Sequence, residues 1–341
     1  MRILLIAVSF ICMGCSLFLH RLDEPSDLKG KISEITITHD SRERSFVYYE
    51  PVSLGKSPML LFVLHGSKGS GRLIREMTGY QFDWLAETEN IIPVYPNGFG
   101  GHWNGCRKGA SDSAHQLNVD DVGFVQAMID YFAGHYSIDP SRVYAAGFSN
   151  GGHMCFRLAV EIPDQVKAFA AIAAHVPVPE NSRCLPPFAP VSMMLVSGTE
   201  DPINPYQGGM VSILGLIDKG EVRSAVDSAV YWLKSAEPDE PEEVHTFPDI
   251  NLDDASHVQF RQWKGAGSAT VRLYTVYGGG HTIPGGTGYY PAFIVGRTNQ
   301  DIVIAEEIIH FFKNSRDKFR RPTTETPESG GRFAIRYASR R

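Results

Sequence analysis

The amino-acid sequence predicts an α/β fold, in which helices flank both faces of a mostly parallel sheet. Short, continuously apolar runs of the kind found in buried strands alternate with longer segments of helical character. Strands that alternate with helices along a chain become parallel neighbours in one sheet. The chain has 341 residues, 43% of them hydrophobic, which is enough for one large core.

Each element follows from its own residues. Two runs at 32–38 and 45–50 predict an antiparallel opening pair. Further strands are predicted at 59–64, 91–95, 142–147, 168–173, 191–196 and 271–277. Helices are predicted over roughly 72–89, from about 119 to 136, directly after 151, and over 300–313. For the helix at 119–136, Asn118 is the predicted N-cap, and Asp120 and Asp121 suit the positive end of its dipole.

The motif Gly147-Phe148-Ser149-Asn150-Gly151 connects the strand at 142–147 to the helix that follows. In a strand–turn–helix setting, a G-x-S-x-G motif places a nucleophilic serine on a sharp turn above the sheet. The turn leaves no room for side chains at its flanks, so glycines are required there. Ser149 is therefore the candidate nucleophile, and an ordinary turn serine is the alternative.

Two candidate partners follow in the chain order expected of an α/β-hydrolase, which is serine, then acid, then histidine. Asp201 and His281 each come just after a predicted strand, so both are expected at the carboxyl edge of the sheet. An imidazole must take the proton of a serine hydroxyl, and a carboxylate must orient that imidazole. Glu200 is the alternative acid, and Asp201-Pro202 can also simply begin a turn.

The predicted oxyanion hole consists of two backbone N–H groups, those of Asn150 and Ser67. Ser67 lies in the loop after the strand 59–64, and this loop can also be a plain connector. Its glycines have the outer spacing of a phosphate-binding loop, but Arg72-Leu73 follows where lysine and serine or threonine are needed. A phosphate-binding loop is therefore rejected.

Trp103 is a tentative substrate-binding residue, because its loop follows a strand end and its ring suits an acyl chain or aromatic group. Its alternative role is a core residue beneath the loop 99–118. Cys106 and Cys184 lie in predicted loops and can form a disulfide, which leaves Cys155 as a buried thiol.

The first 21 residues predict a targeting segment. Arg2 precedes an apolar run from Ile3 to Leu19, which resembles a secretory signal peptide or a signal anchor. Gly14-Cys15 also resembles a lipoprotein cleavage site. We therefore expect a secreted, periplasmic or envelope-associated protein, with membrane attachment through the leader as an open alternative. The net charge of −6 argues against nucleic acid as a partner.

Residues 22–313 form the predicted catalytic domain. Within it, 203–268 is an insertion between acid and base, with a helix at 221–234, an acidic stretch at 237–243 and a strand at 257–263. The insertion either caps the site or faces solvent. Residues 314–341 are rich in arginine and predict a mobile basic tail.

Several motifs together resemble the polyhydroxybutyrate depolymerase / feruloyl esterase-type family of secreted α/β-hydrolases over residues 35–313. They are His65-Gly66-Ser67, Tyr95-Pro96-Asn97-Gly98, Trp103-Asn104, Val119-Asp120-Asp121-Val122-Gly123-Phe124, Gly147-Phe148-Ser149-Asn150-Gly151-Gly152, Gly198-Thr199-Glu200-Asp201-Pro202 and Gly280-His281-Thr282-Ile283-Pro284-Gly285-Gly286. The resemblance implies an α/β-hydrolase fold and a Ser149-His281-Asp201 carboxylesterase without metal or organic cofactor. Ile283 departs from the usual tryptophan, and Lys68 from a common glycine.

From these residues we expect a serine carboxylesterase that forms an acyl-enzyme and acts on small or oligomeric esters. A serine peptidase on the same fold is one alternative. The sequence shows no propeller or other gating domain, which argues against this alternative. A catalytically silent binding protein is the other alternative. The sequence predicts neither the acyl and alcohol parts of the substrate nor the oligomeric state.

Overall fold

The computed structural model of this chain describes residues 22–185, 191–213, 215, 217–233, 241, 243–264 and 269–315. Ten of the twelve strands in these ranges form one sheet. In chain order the strands are β1 (Lys31–His39), β2 (Arg42–Glu50), β3 (Met59–Leu64), β4 (Ile91–Pro96), β5 (Val143–Phe148), β6 (Ala168–Ile172), β7 (Ser192–Gly198), β8 (Gly209–Ile213), β9 (Ile217–Val222), β10 (Glu243–Thr246), β11 (His257–Lys264) and β12 (Thr270–Tyr277). The predicted leader and nearly all of the predicted basic tail lie outside the described residues.

The sheet order is β1-β2-β4-β3-β5-β6-β7-β12-β11-β10. The six strands from β4 to β12 in that order pair in parallel, and the strands beyond them at each edge pair antiparallel. The predicted mostly parallel sheet flanked by helices is therefore confirmed. Parallel pairing brings the carboxyl ends of β5, β7 and β12 to one edge of the sheet, where the candidate site residues follow.

The helices are α1 (Gly71–Met77), α2 (Gln81–Glu89), α3 (Ser113–Gln116), α4 (Asp121–Tyr136), α5 (Asn150–Glu161), α6 (Ala225–Leu233), α7 (Ala292–Val295) and α8 (Ile304–Asn314). Alternate residues of β3 enter two separate hydrophobic clusters on opposite faces of the sheet. Leu60 and Phe62 pack with residues of α4 and α5, whereas Leu61 and Val63 pack with residues of α1 and α8. This strand is continuously apolar because both of its faces are buried.

The predicted N-cap of the helix at 119–136 is wrong by two residues. The helix begins at Asp121, and the side chain of Asp120 accepts a hydrogen bond from the Gly123 N–H at 2.9 Å. Asp121 is fully buried and pairs with Arg44 at 2.6 Å. Asn118 instead takes a left-handed conformation after α3, so it cannot cap α4.

The segment 203–268 contains two separate strand pairs and the helix α6. β10 and β11 extend the main sheet antiparallel to β12, and β8 and β9 form a separate hairpin. The helix predicted at 221–234 begins only at Ala225, because Glu221 and Val222 belong to β9. Val222 also forms a β-bridge with Pro177, so tertiary pairing overrides the local helical preference. Within the described residues no helix is long and apolar enough to span a membrane.

Cys106 and Cys184 form a disulfide with their Cα atoms 5.2 Å apart, and Cys155 is a buried free cysteine. The bridge connects the loop before α3 to the segment after the short 3-10 helix Pro179–Asn181. These two segments lie beside the candidate site described below.

We expect the double variant Cys106→Ala/Cys184→Ala to lose about 4 kcal/mol of unfolding free energy, because the bridge closes a loop with a sequence separation of 78. Urea denaturation measures the loss. A reductant should lower the midpoint of the wild-type protein and leave that of the double variant unchanged. Equal midpoints for the two oxidised proteins would contradict this expectation.

Candidate active site

Ser149 lies in the turn between β5 and α5 with φ 53° and ψ −113°. A positive φ is uncommon for a residue other than glycine and costs on the order of 1–3 kcal/mol. A Cβ on Gly147 would overlap the backbone of Gly151, and one on Gly151 would overlap the Leu64 carbonyl. The two glycines therefore permit the close approach of strand and helix that forces Ser149 into its strained conformation.

A chain of hydrogen bonds connects Ser149 to Asp201 through His281. His281 Nε2 lies 2.9 Å from Ser149 Oγ, and His281 Nδ1 lies 2.8 Å from Asp201 Oδ2. Because an ionised carboxylate only accepts, Nδ1 carries the proton and Nε2 can accept from the serine hydroxyl. The backbone N–H of His281 donates to the Val295 carbonyl at 2.6 Å, which fixes the loop that carries the ring.

The geometry separates the two carboxylates that were candidates for the acid. Asp201 is buried, and its Oδ1 accepts hydrogen bonds from the backbone N–H groups of Ile203 and Asn204, each at 2.8 Å. Glu200 points away and pairs with Arg297 at 2.8 Å, where both side chains are about half exposed. Only Asp201 contacts His281, and its second oxygen is held by the following turn.

The loop proposed for the oxyanion hole lies against Ser149. A Cβ on Gly66 would lie 3.5 Å from Ser149 Cβ, and Ser67 lines the same cavity as Ser149. Asn150 is the first residue of α5, so its backbone N–H has no acceptor within the helix. The two predicted donors therefore come from segments that meet at Ser149.

His65 positions this loop, a role that the sequence analysis did not assign. Its Nε2 accepts from the Gly98 N–H at 2.9 Å, so its Nδ1 donates to the Gly66 carbonyl at 2.7 Å. Burial lowers the pKa of His65 to about 4, which keeps the ring neutral in this two-sided role. In the sequence, His65 is marked by its place directly after β3 and by the motif His65-Gly66-Ser67, and neither feature indicates a positioning role.

Trp103 is a core residue, so the expectation that it binds substrate is wrong. Its side chain is 0% exposed and does not line the cavity that contains Ser149. Its indole N–H donates to the His65 carbonyl at 2.9 Å, and its backbone N–H donates to Asn150 Oδ1 at 2.7 Å. The loop folds inward because the indole N–H finds this buried acceptor, and Trp103 thereby supports the loop next to Ser149.

We expect Trp103→Ala to lose roughly 3–5 kcal/mol of stability, since it empties a fully buried site. Thermal melting measures the loss, and Trp103→Phe should lose less because it keeps most of the volume. The variant should rank a panel of acyl groups as the wild-type protein does. An unchanged melting temperature with a new ranking would restore the substrate-binding role.

A cavity of about 190 Å³ opens at Ser149 and His281. Apolar side chains form most of its wall. They come from the segments after β3 and β7, from the end of β5, from around α7 and from the β8–β9 hairpin, and they are Leu73, Met77, Phe148, Ile203, Val211, Ile213, Tyr290, Ile294 and Val295. Arg107 and Lys219 also line the cavity, and the sequence analysis missed both. The hairpin in 203–268 therefore forms part of the cavity wall, whereas β10 and β11 do not.

A larger cavity of about 510 Å³ lies along β10, β11 and α8, and it contains none of the predicted site residues. Within the ranges that the structure describes, no group of three or more histidine, cysteine or acidic side chains could hold a metal ion.

Comparisons with known proteins agree with the fold. A model of the Prolyl oligopeptidase family matches residues 78–184, a segment that contains Ser149 but neither Asp201 nor His281. The chain is 28% identical over 260 residues to the putative esterase NocK of Nocardia uniformis subsp. tsuyamanensis, and this alignment covers 74% of this chain and 73% of that protein. It is 32% identical over 146 residues to feruloyl esterase B of Thermothelomyces thermophilus, and this alignment covers 42% of this chain and about half (48%) of that enzyme.

Among solved structures, an acetyl xylan esterase from Aspergillus awamori superposes with a TM-score of 0.53 and 14% identity, over 84% of this chain and 100% of that one. This likeness confirms the α/β-hydrolase fold. The resemblance to polyhydroxybutyrate depolymerase / feruloyl esterase-type enzymes is likewise confirmed by the sequence relatives.

Proposed function

We propose that this chain, a carboxylic ester hydrolase with the α/β-hydrolase fold, cleaves its substrate through a Ser149-His281-Asp201 triad and a covalent acyl-enzyme. The observation that carries the proposal is the hydrogen-bonded chain from Asp201 through His281 to Ser149, at 2.8 and 2.9 Å. This is the distance range in which a base can take a proton from a serine hydroxyl.

In the proposed mechanism, His281 Nε2 takes the proton of Ser149 as its oxygen attacks the ester carbonyl. The backbone N–H groups of Asn150 and Ser67 stabilise the resulting oxyanion, and donors of this kind are worth about 3 kcal/mol each. His281 then protonates the departing alcohol. Water, deprotonated by the same imidazole, attacks the acyl-enzyme, and the imidazolium returns this proton to Ser149 Oγ as the acid leaves. Asp201 keeps the imidazole in the required tautomer throughout.

The proposed substrates are small or oligomeric esters. The cavity of about 190 Å³ supports this, since it suits a short acyl or alcohol group beside Ser149. Named relatives include feruloyl and acetylxylan esterases, in line with acyl groups of limited size.

We further propose that the enzyme acts outside the cytoplasm. The targeting pattern of residues 1–21 supports this, as does the Cys106–Cys184 disulfide, because disulfides persist in oxidising compartments. Fractionation of expressing cells tests the location, and recovery of the protein only from the cytoplasm with its leader intact would contradict it.

A serine peptidase is the second candidate function, favoured by the match of residues 78–184 to the Prolyl oligopeptidase family. The test compares p-nitrophenyl acetate with a prolyl peptide p-nitroanilide on the purified protein. Our proposal expects kcat/KM to be far higher for the ester. Faster cleavage of the anilide would favour the peptidase, and inertness toward both substrates and toward a fluorophosphonate would favour a catalytically silent protein.

A further inference from the structure

Two cationic side chains line the cavity at Ser149. Arg107 is 4% exposed and Lys219 is 9% exposed. Within the described part of the chain neither side chain has a hydrogen bond or an ion pair, and Arg107 Nε is buried with no acceptor. Proteins rarely bury a charge without a partner, because desolvation is then uncompensated. The missing partner is therefore expected to arrive with a ligand.

Asp112 is the carboxylate that acts on both cations, but it is already engaged. Its Oδ1 accepts from both the backbone N–H and the ring Nδ1 of His115, and its Oδ2 lies 3.8 Å from His102. Burial alone would raise the pKa of Asp112, but its bonds to His115 and the nearby histidine charges lower it to about 2. The single negative charge of Asp112 cannot neutralise both Arg107 and Lys219, and its oxygens make no hydrogen bond to either side chain among the described residues.

The backbone holds the two cations in place together. Arg107 follows Cys106 of the disulfide and forms a β-bridge with Ser182. Asn181 connects their segments, since its Oδ1 accepts from the Gly109 N–H at 2.8 Å and its Nδ2 donates to the Lys219 carbonyl at 3.3 Å. The arrangement is thus part of the fold and not a chance meeting of flexible side chains.

Burial lowers the pKa of Arg107 to about 10, with Asp112 opposing the shift, so the guanidinium is still cationic at neutral pH. Burial also lowers the pKa of Lys219, again against the attraction of Asp112. A ligand carboxylate that accepts from either side chain would recover the desolvation free energy.

We propose that Arg107 and Lys219 form a subsite for a carboxylate carried by the ester substrate. The inference rests on the proposed function, since it assumes that the ester binds at Ser149. The substrate class it names is an ester with a free carboxylate a short arm away, such as a hemiester of a dicarboxylic acid or a hydroxyacid oligomer with a free acid end. The carboxylate can belong either to the acyl part or to the alcohol part.

Two matched pairs of substrates distinguish these two sources. Mono-p-nitrophenyl glutarate has a free carboxylate on its acyl part, and its methyl ester is the neutral counterpart. 4-Acetoxybenzoate has the free carboxylate on its alcohol part, and its methyl ester is again the neutral counterpart. For one of these two substrate pairs, we expect Arg107→Met and Lys219→Met each to lower the ratio of kcat/KM for the anionic ester to that for the neutral ester by at least about tenfold. The pair that responds identifies the part of the ester that carries the carboxylate. Lys108→Met is the control, because Lys108 is the exposed neighbour of Arg107 and lies outside the cavity.

Glutarate itself should inhibit hydrolysis of the neutral esters competitively in the wild-type protein and much more weakly in Lys219→Met. This second measurement decides the question even if Arg107→Met does not fold. The proposal is overturned if neither ratio changes, or if both variants lose the neutral and anionic esters equally. Failure of the proposed function is distinct, since a folded Ser149→Ala protein would then still hydrolyse the neutral esters.

Discussion

Replacement of Ser149 by alanine is expected to lower kcat/KM for p-nitrophenyl acetate by roughly 10⁴–10⁶-fold, because removal of a triad nucleophile elsewhere has effects of this size. The variant should stay folded. The substitution removes only the hydroxyl, whose hydrogen bond is to His281, so the packing of the surrounding core should be almost unchanged. The residual rate should reflect water attack within a site that still binds the ester.

Steady-state kinetics with circular dichroism as a folding check measures this effect. Ser141→Ala is a matched control, since Ser141 lies in the exposed turn just before β5, and its hydroxyl bonds only to Asp139 among the described partners. Near wild-type turnover in a folded Ser149→Ala protein would show that another group attacks the ester.

The second large effect concerns the acid. Asp201→Asn should reduce kcat by about 10³–10⁴-fold, because an amide can donate to His281 Nδ1 and favour the wrong tautomer. The side-chain amide oxygen can still accept the hydrogen bonds that the backbone N–H groups of Ile203 and Asn204 donate. The fold should therefore survive the substitution.

Glu200→Gln is the matched comparison, because it changes the adjacent carboxylate in the same way. Glu200 pairs with Arg297 at the surface, and such exposed pairs contribute about 0–1 kcal/mol. We expect almost unchanged kcat for this variant. A larger loss in Glu200→Gln than in Asp201→Asn would reverse the assignment of the acid.

Local sequence patterns carried enough information to predict the sheet and the meeting of Ser149, Asp201 and His281. Each of the three follows a predicted strand, and parallel strands bring their carboxyl ends to one edge. The nucleophile turn is likewise local, because Gly147 and Gly151 are required by contacts within a few residues and with the neighbouring strand.

Other features depend on contacts between distant segments. The residues that flank Trp103 in the sequence do not distinguish a loop that folds outward from one that folds inward. The indole N–H bonds to the buried carbonyl of His65, which lies 38 positions away, and this contact holds the side chain inside the core. The β8–β9 hairpin pairs with Pro177 and with Asn181, which the sequence of the insertion alone does not indicate. Arg107 and Lys219 lie 112 positions apart and meet only through these long-range contacts.

Peptide mapping by mass spectrometry tests most directly whether Ser149 is the residue that forms the covalent acyl-enzyme. The wild-type protein is treated with a fluorophosphonate, digested and compared with the Asp201→Asn and Ser149→Ala variants. We expect one phosphonylated peptide, modified at Ser149, with slower labelling in Asp201→Asn and none in Ser149→Ala. An adduct on any other residue, or an unlabelled protein that still hydrolyses p-nitrophenyl acetate, would contradict it.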